Sequence, residues 1–132
     1  GLEAAWQHRG WTLGAEFQGS EIQPDDAGSA TFNGAAFEAT WRPAGENRRY
    51  SMGKASFSGF TPKDPRGAIE FALRAAHTDL SSGTLRGGSQ TDLGFGMNLQ
   101  LSKRSRWMLH FQESRAGDAR VQSVLLRLQL GY

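Results

Sequence analysis

The chain of 132 residues has no cysteine, so disulfide bonds cannot stabilise it. It has only 4 prolines, and no apolar run approaches the ~20 residues that a membrane-spanning helix requires. Neither sign of charge dominates, because 15 basic residues stand against 13 acidic ones; this balance argues against nucleic acid as a partner. Helical periodicity is almost absent. Glycine, in contrast, is abundant at 17 residues, which suits many strands joined by turns.

The most regular pattern lies in the last predicted strand, where every second residue is apolar. Its apolar positions are Val124, Leu126, Leu128, Leu130 and Tyr132. The residues between them are mostly small or polar. Because consecutive residues of a strand point to opposite faces, one face of this strand is wholly apolar. Strands of outer-membrane barrels have this pattern, with the apolar face towards lipid, and so does the edge strand of a soluble sandwich.

The same alternation recurs along the chain and predicts seven strands. They are predicted at residues 2–9, 11–18, 33–42, 68–79, 90–101, 105–114 and 120–132. Most are close to the 9–11 residues with which a tilted strand crosses a bilayer. Residues 43–67 are poorly patterned, and about 50–60 within them is a candidate for an eighth strand. We therefore predict an all-β fold, an antiparallel transmembrane β-barrel of the outer-membrane type, with about seven or eight strands in this chain.

Aromatic residues provide a test of this layout. If the carboxyl terminus lies at the periplasmic end, five of them fall near the periplasmic ends of outward faces. They are Trp6, Trp11, Trp41, Trp107 and Tyr132. This arrangement predicts an aromatic girdle at one interface. The predicted extracellular loops are 19–31, 80–89 and 115–119, whereas 43–67 becomes a long periplasmic connection, against the usual rule of short periplasmic turns.

Several stretches of the chain share their order and spacing with a known family. They are residues 67–74 (GAIEFALR), 79–80 (DL), 87–98 (GGSQTDLGFGMN) and 128–132 (LQLGY), with weaker matches at 36–40 (AFEAT) and 48–50 (RRY). On these stretches the chain resembles the phosphate-selective porin O and P family of bacterial outer membranes. The resemblance covers most of residues 32–132.

The resemblance implies a sixteen-stranded, trimeric, anion-conducting porin in the bacterial outer membrane. Seven or eight strands are about half of such a barrel, so we interpret residues 1–132 as the C-terminal part of a single β-barrel domain with an irregular connection at 43–67. The expected partners are outer-membrane lipid, the remaining strands of the barrel, further copies in a homotrimer and small anions such as phosphate. No cofactor and no nucleic acid are expected. The family's selectivity filter depends on basic residues of the N-terminal half, so the resemblance assigns phosphate specificity to no residue here.

Two other interpretations fit the alternation. A complete barrel of eight strands, using about 50–60 as the eighth, would have an interior just filled by side chains. Its glutamates and arginines would then form a plug, and its role would be structural or adhesive. A soluble β-sandwich or ligand-binding barrel would instead turn its apolar faces into a packed interior.

Ionisable residues on the inward faces are the candidates for lining a pore. The pore-lining candidates are Arg42, Arg74, Arg127, Glu38, Glu70 and Asp92. Acids and bases are equally represented on these faces, which differs from the one-signed ring of a strongly selective filter. The alternative to a place on the ion path is pairing of the arginines with wall carboxylates such as Glu38 and Glu70. The irregular connection contains a further basic set, which could attract anions, although a solvated loop is the preferred interpretation: Arg48, Arg49, Lys54, Lys63 and Arg66.

The histidines give weak support to catalysis or metal binding. His77 and Asp79 share one face of a strand, which is compatible with an acid–base pair. However, no glycine-flanked serine elbow accompanies them, and no His, Cys and Asp cluster has the spacing of metal ligands. The sequence therefore predicts a transport protein without enzymatic activity and without a bound metal.

Overall fold

Seven long strands form one antiparallel sheet in the computed structural model, which describes residues 1–23, 29–54, 56–57, 62–83, 85–102 and 104–131. The long strands are β1 (Leu2–His8), β2 (Trp11–Ile22), β3 (Ala30–Trp41), β6 (Ala68–Ser82), β7 (Leu85–Gln100), β8 (Ser105–Ala116) and β9 (Ala119–Leu130). Between β3 and β6 lie β4 (Tyr50–Ser51), a 3-10 turn (Met52–Lys54) and β5 (Ser56–Phe57). The predicted all-β antiparallel fold is confirmed.

The sheet follows the order of the chain, β1-β2-β3-β6-β7-β8-β9, and each strand pairs with its neighbour in an antiparallel register. Within the described residues the sheet is open, because β1 and β9 are its two edges. β4 and β5 pair only with each other, so the candidate eighth strand at about 50–60 does not join the main sheet where it is described. Residues 55 and 58–60 of that candidate lie outside the described residues.

The register keeps each face of the sheet uniform from strand to strand. Glu38 lies opposite Arg74, and Arg74 lies opposite Gly94 on the next strand. One residue away, Phe37 lies opposite Ala75, which lies opposite Leu93. Since a shift by one residue would exchange the two faces, this alignment gives one polar face and one apolar face. We call them the lumen face and the outer face.

The apolar side chains of the outer face do not form a protein core. Phe37, Phe95 and Leu109 are 48%, 46% and 40% exposed, and the buried apolar residues of the described chain are only Ala30 and Ala68. A soluble sandwich or barrel of this size would bury such residues, because their burial is the main force that favours folding. The outer face is therefore compatible with lipid, and the soluble interpretation fails.

An aromatic row crosses the outer face at one end of the sheet. Trp11 stacks on Trp41 with ring centroids 5.7 Å apart, and Trp41 stacks on Phe71 at 6.0 Å. Tryptophan prefers the interface between hydrocarbon and water, so this row marks one boundary of the membrane. We call this end the tryptophan end and the opposite one the far end. Tyr132 lies outside the described residues, and the periplasmic location of the tryptophan end stays a prediction.

At the far end the strands extend beyond their predicted limits. Most of the predicted loop at 80–89 belongs instead to β6 and β7, which remain paired up to Ser82 and Leu85 after an irregularity between Asp79 and Ser81. The two strands thus have 15 and 16 residues, more than a bilayer crossing requires. Among the described residues no helix has the length and apolar character needed to span a membrane.

Candidate functional site

Residues 43–67 are here called the connection, and their described part turns back over the sheet at the tryptophan end. The Arg42 N–H donates to the Gly10 carbonyl at 3.0 Å, and the Gly10 N–H donates to Asn47 Oδ1 at 3.1 Å. Gly10 has a φ of 84°, and a Cβ there would lie 2.4 Å from the Arg42 carbonyl oxygen. Only glycine allows this turn and this close approach.

The part of the connection that contains β5 stands over the lumen face. Phe57 lines a cavity of about 190 Å³ together with side chains of the sheet wall. The charged residues that line the same cavity are Glu3, Glu16, Glu38, Arg48 and Arg74. The connection and the wall therefore enclose one space that is lined by charges of both signs.

A buried cluster of two arginines and one glutamate fixes the connection to the wall. Arg42 Nη1 lies 2.6 Å from Glu70 Oε2, and Arg48 Nη2 lies 2.6 Å from Glu70 Oε1 and 2.7 Å from Oε2. The side chains of Arg42, Arg48 and Glu70 are 0%, 24% and 3% exposed. We call these three residues the lumen triad. Both oxygens of the carboxylate are engaged, as a buried charge requires.

Arg42 uses each nitrogen of its guanidinium. Its Nε donates to the Glu46 carbonyl oxygen at 2.7 Å, and its Nη2 donates to Thr12 Oγ1 at 2.6 Å. Burial of a charge is tolerated where hydrogen bonds replace water around it. Arg42 therefore links three parts of the chain, namely β2, β6 and the connection.

Polar side chains extend the lumen triad along the wall. Asn98 Nδ2 donates to Glu70 Oε1 at 3.1 Å, and His110 Nε2 lies 3.3 Å from Asn98 Oδ1. On the other side, Gln7 binds the backbone of Arg48 twice: its Nε2 donates to the Arg48 carbonyl at 2.8 Å, and its Oε1 accepts the Arg48 N–H at 2.9 Å. The network thus reaches from β1 to β8.

The other candidates form looser contacts on the lumen face. Arg74 Nη1 lies 3.5 Å from Glu38 Oε2, and both side chains are more than half exposed. Asp92 accepts from Gln90 Nε2 at 3.0 Å and from the Ser114 hydroxyl. Arg127 lies opposite Met108 and forms no ion pair within the described chain. Pairing of arginines with wall carboxylates was the expected alternative to a place on the ion path, and the structure shows it for Arg74 with Glu38 and for Arg42 with Glu70.

The basic residues of the connection have separate environments. Arg66 is 91% exposed and pairs with Asp64 at 3.0 Å. The hydrogen bonds from its side chain and its backbone N–H hold the pKa of Asp64 below its usual value. The Lys63 N–H donates to Glu46 Oε1 at 2.8 Å. The side chain of Lys54 lies outside the described residues. Two described cationic side chains line the cavity, Arg48 and Arg74, and Arg48 is the one that belongs to the connection.

The described side-chain contact of His77 is with Thr91 and not with Asp79, the partner considered for an acid–base pair. His77 Nδ1 lies 2.9 Å from the Thr91 hydroxyl, next to the apolar band of the outer face. Within the ranges that the structure describes, no group of three or more His, Cys, Asp and Glu residues is arranged to hold a metal ion.

Comparison with protein families matches residues 1–131 to the phosphate-selective porin O and P family. The chain belongs to this porin family. The predicted family and the predicted location in the bacterial outer membrane are confirmed, and the coarse function is that of an outer-membrane channel. No curated protein and no solved structure gives a significant match.

Arg48 of this porin was expected in a solvated loop, but its side chain is only 24% exposed and pairs with Glu70. The structure brings Arg48 onto Glu70, 22 residues along the chain. No periodic pattern in 43–67 signals this contact, since the connection has no regular strand that would fix its side-chain directions. The available signal was Glu70 itself, because a carboxylate in the wall needs cationic partners once it is covered.

Proposed function

We propose that the chain is the C-terminal part, as its family resemblance implies, of one larger β-barrel domain that passes small anions, phosphate among them, by passive diffusion. The open edges of β1 and β9 support the need for further strands, because unpaired strand edges are not tolerated in the hydrocarbon region. The proposed partners are the remaining strands, outer-membrane lipid, further copies in a homotrimer and the permeating anions.

The two faces of the sheet support a water-filled passage. The outer face is apolar, whereas all six pore-lining candidates lie on the lumen face or, for Arg42, directly beyond β3 on the same side. In this proposal Arg74, Arg127, Glu38 and Asp92 contact the permeating solution. Arg42 and Glu70 lie beneath the connection and hold it in place.

One observation carries the anionic preference: the connection places Arg48 beside the same cavity as Arg74. Arg48 retains 24% exposure although it pairs with Glu70, so its charge reaches the solution. Basic side chains beside a passage favour anions, and here they act against Glu3, Glu16 and Glu38, which line the same cavity. The description of the family as phosphate-selective supports the same preference.

Reversal potentials test this proposal. We would measure the full-length porin in planar bilayers across a salt gradient, with Arg48, Arg74 and Arg127 each changed to Gln. Arg48→Gln should lower the anion-to-cation permeability ratio most, by up to about fivefold, which corresponds to ~1 kcal/mol of Coulomb energy at 4 Å in water.

The matched control is Arg66→Gln, since Arg66 is an arginine of the same connection that points into solvent. It should leave the reversal potential unchanged. Equal reversal potentials for wild type and all three lumen-face variants would show that these arginines do not act on permeating ions. A phosphate-dependent block of the chloride current that survives Arg48→Gln would assign phosphate binding to other parts of the barrel.

A further inference from the structure

A second cluster of two arginines and one glutamate lies on the outer face at the far end. Arg115 Nε donates to Glu113 Oε1 at 2.7 Å, and its Nη2 lies 2.6 Å from the same oxygen. Arg120 of the neighbouring strand donates to Glu113 Oε2, which also accepts from Gln122 Nε2 at 2.7 Å. We call Glu113, Arg115 and Arg120 the outer triad.

The two arginines of the outer triad are exposed, and the cluster carries an excess of positive charge. The side chains of Arg115 and Arg120 are 60% and 55% exposed, and two arginines against one glutamate give a net charge of +1. Each guanidinium has five N–H donors, and Glu113 accepts from only some of them. Because both side chains are more than half exposed, donors that do not bind Glu113 are accessible on the outer face.

An apolar groove begins directly next to the outer triad. It has a volume of about 460 Å³, and Arg74 and Gly94 contribute to its lining beside six apolar residues: Phe37, Leu73, Ala75, Leu93, Phe95 and Phe111. Leu93 lies directly opposite Glu113 in the register, and Phe111 precedes Glu113 on the same face of β8. The charged cluster therefore sits at one end of the groove, with the apolar lining running from it towards the membrane centre.

We propose that this pair of features binds a membrane lipid, with its anionic phosphate headgroup on Arg115 and Arg120 and an acyl chain in the groove. Guanidinium groups bind phosphate oxygens through paired hydrogen bonds, and such charge-assisted bonds are strong. A free phosphate ion would use only the arginines. A lipid also fills the groove, because its headgroup and chain are joined in the same order as the charged and apolar surfaces.

Lipid retention by the full-length porin tests the proposal. The purified protein would be delipidated in detergent, incubated with phosphatidylglycerol, and examined by native mass spectrometry, with phosphatidylcholine as the lipid without net charge. The double variant R115Q/R120Q should lower phosphatidylglycerol retention by about thirtyfold, given a contribution of about 1 kcal/mol from each arginine near a lipid surface. Arg127→Gln is the matched control, because Arg127 lies on β9 as Arg120 does but on the lumen face.

Two more variants examine each half of the site separately. Glu113→Gln removes the competing carboxylate and should maintain or raise retention. Ala75→Trp fills the groove and should lower retention while both arginines remain. Heat-modifiable migration in a denaturing gel verifies folding; if R115Q/R120Q does not fold, Ala75→Trp and Glu113→Gln decide the question.

Three outcomes would overturn the proposal. The first is retention of phosphatidylglycerol by R115Q/R120Q that equals retention by wild type or by Arg127→Gln. The second is equal occupancy by inorganic phosphate and by the lipid at the same concentration, which would make the site a phosphate site alone. The third is loss of the trimer or of another oligomer in R115Q/R120Q without any change in lipid retention, which would assign the surface to contact between copies.

Discussion

The lumen triad and the outer triad have the same composition, two arginines around one glutamate, but they lie on opposite faces of the sheet. Glu70 is 3% exposed and its partner Arg42 is completely buried. Glu113 is 11% exposed, and its partner Arg115 remains 60% exposed. One cluster is covered by the connection, whereas the other is open on the membrane side.

Burial makes the two clusters differ in energy and in role. Removal of one partner from a buried ion pair leaves an uncompensated charge and is strongly destabilising. An exposed pair contributes little, because water solvates whichever charge remains. The lumen triad can therefore hold a long segment against the wall, while the outer triad keeps its arginines available for another anion.

Glu70→Ala is expected to have the largest effect. It leaves Arg42 buried without its carboxylate, and the free energy of unfolding should fall by about 3–5 kcal/mol. Urea unfolding of the full-length porin in lipid vesicles, monitored by tryptophan fluorescence, would measure this change. Glu38→Ala is the control, because its pair with Arg74 is solvent-exposed, and its effect should stay below about 1 kcal/mol. Equal effects of the two variants would contradict the comparison.

Gly10→Ala should have the next largest effect. A methyl group at Gly10 would collide with the Arg42 carbonyl at 2.4 Å, and the positive φ adds strain, so we expect a loss of about 1–3 kcal/mol. Protease cleavage within the connection should also become faster, because the backbone of Gly10 holds Arg42 and Asn47 through hydrogen bonds that the substitution would disturb. Gly14→Ala is the matched control, since nothing lies within 4 Å of a Cβ at that position.

Glu113→Ala should have the smallest effect on stability, below about 1 kcal/mol. Its two arginines are exposed and can be solvated after the carboxylate is removed. The same urea titration would check this expectation, with Glu70→Ala measured in parallel. A loss as large as that of Glu70→Ala would show that the outer triad is structural and would remove the distinction between the two clusters.

The sequence pattern predicted most of the fold, but it did not predict where every strand ends. Alternation predicted the seven long strands and their faces, because within the bilayer the side chains that face lipid are apolar and those that face the lumen are polar. It failed at the far end, where Ser81 and Arg86 belong to the predicted loop 80–89 but are paired in the sheet. There both faces contact water, so the pattern disappears while the hydrogen-bonded ladder continues.

The candidate site was predictable only where it lies on strands. Glu38 and Arg74 could be placed on the inward face from alternation, and the register then sets them directly opposite each other. Arg48 could not, because its position depends on how Gln7 and Glu70 bind an irregular segment. The outer triad was also missed, because its charges interrupt the apolar pattern at the limit of the bilayer.

The orientation of the two faces is the central claim, and lipid quenching along β9 tests it most directly. The chain has no cysteine, so single cysteines with a fluorescent label can be placed at 123–128 without competing thiols in the chain. Brominated lipid should quench labels at Val124, Leu126 and Leu128, whereas aqueous iodide should quench labels at Ser123, Leu125 and Arg127. Leu125 is decisive, because it is apolar but lies on the lumen face. Quenching of Leu125 by lipid, or the absence of alternation, would contradict the account.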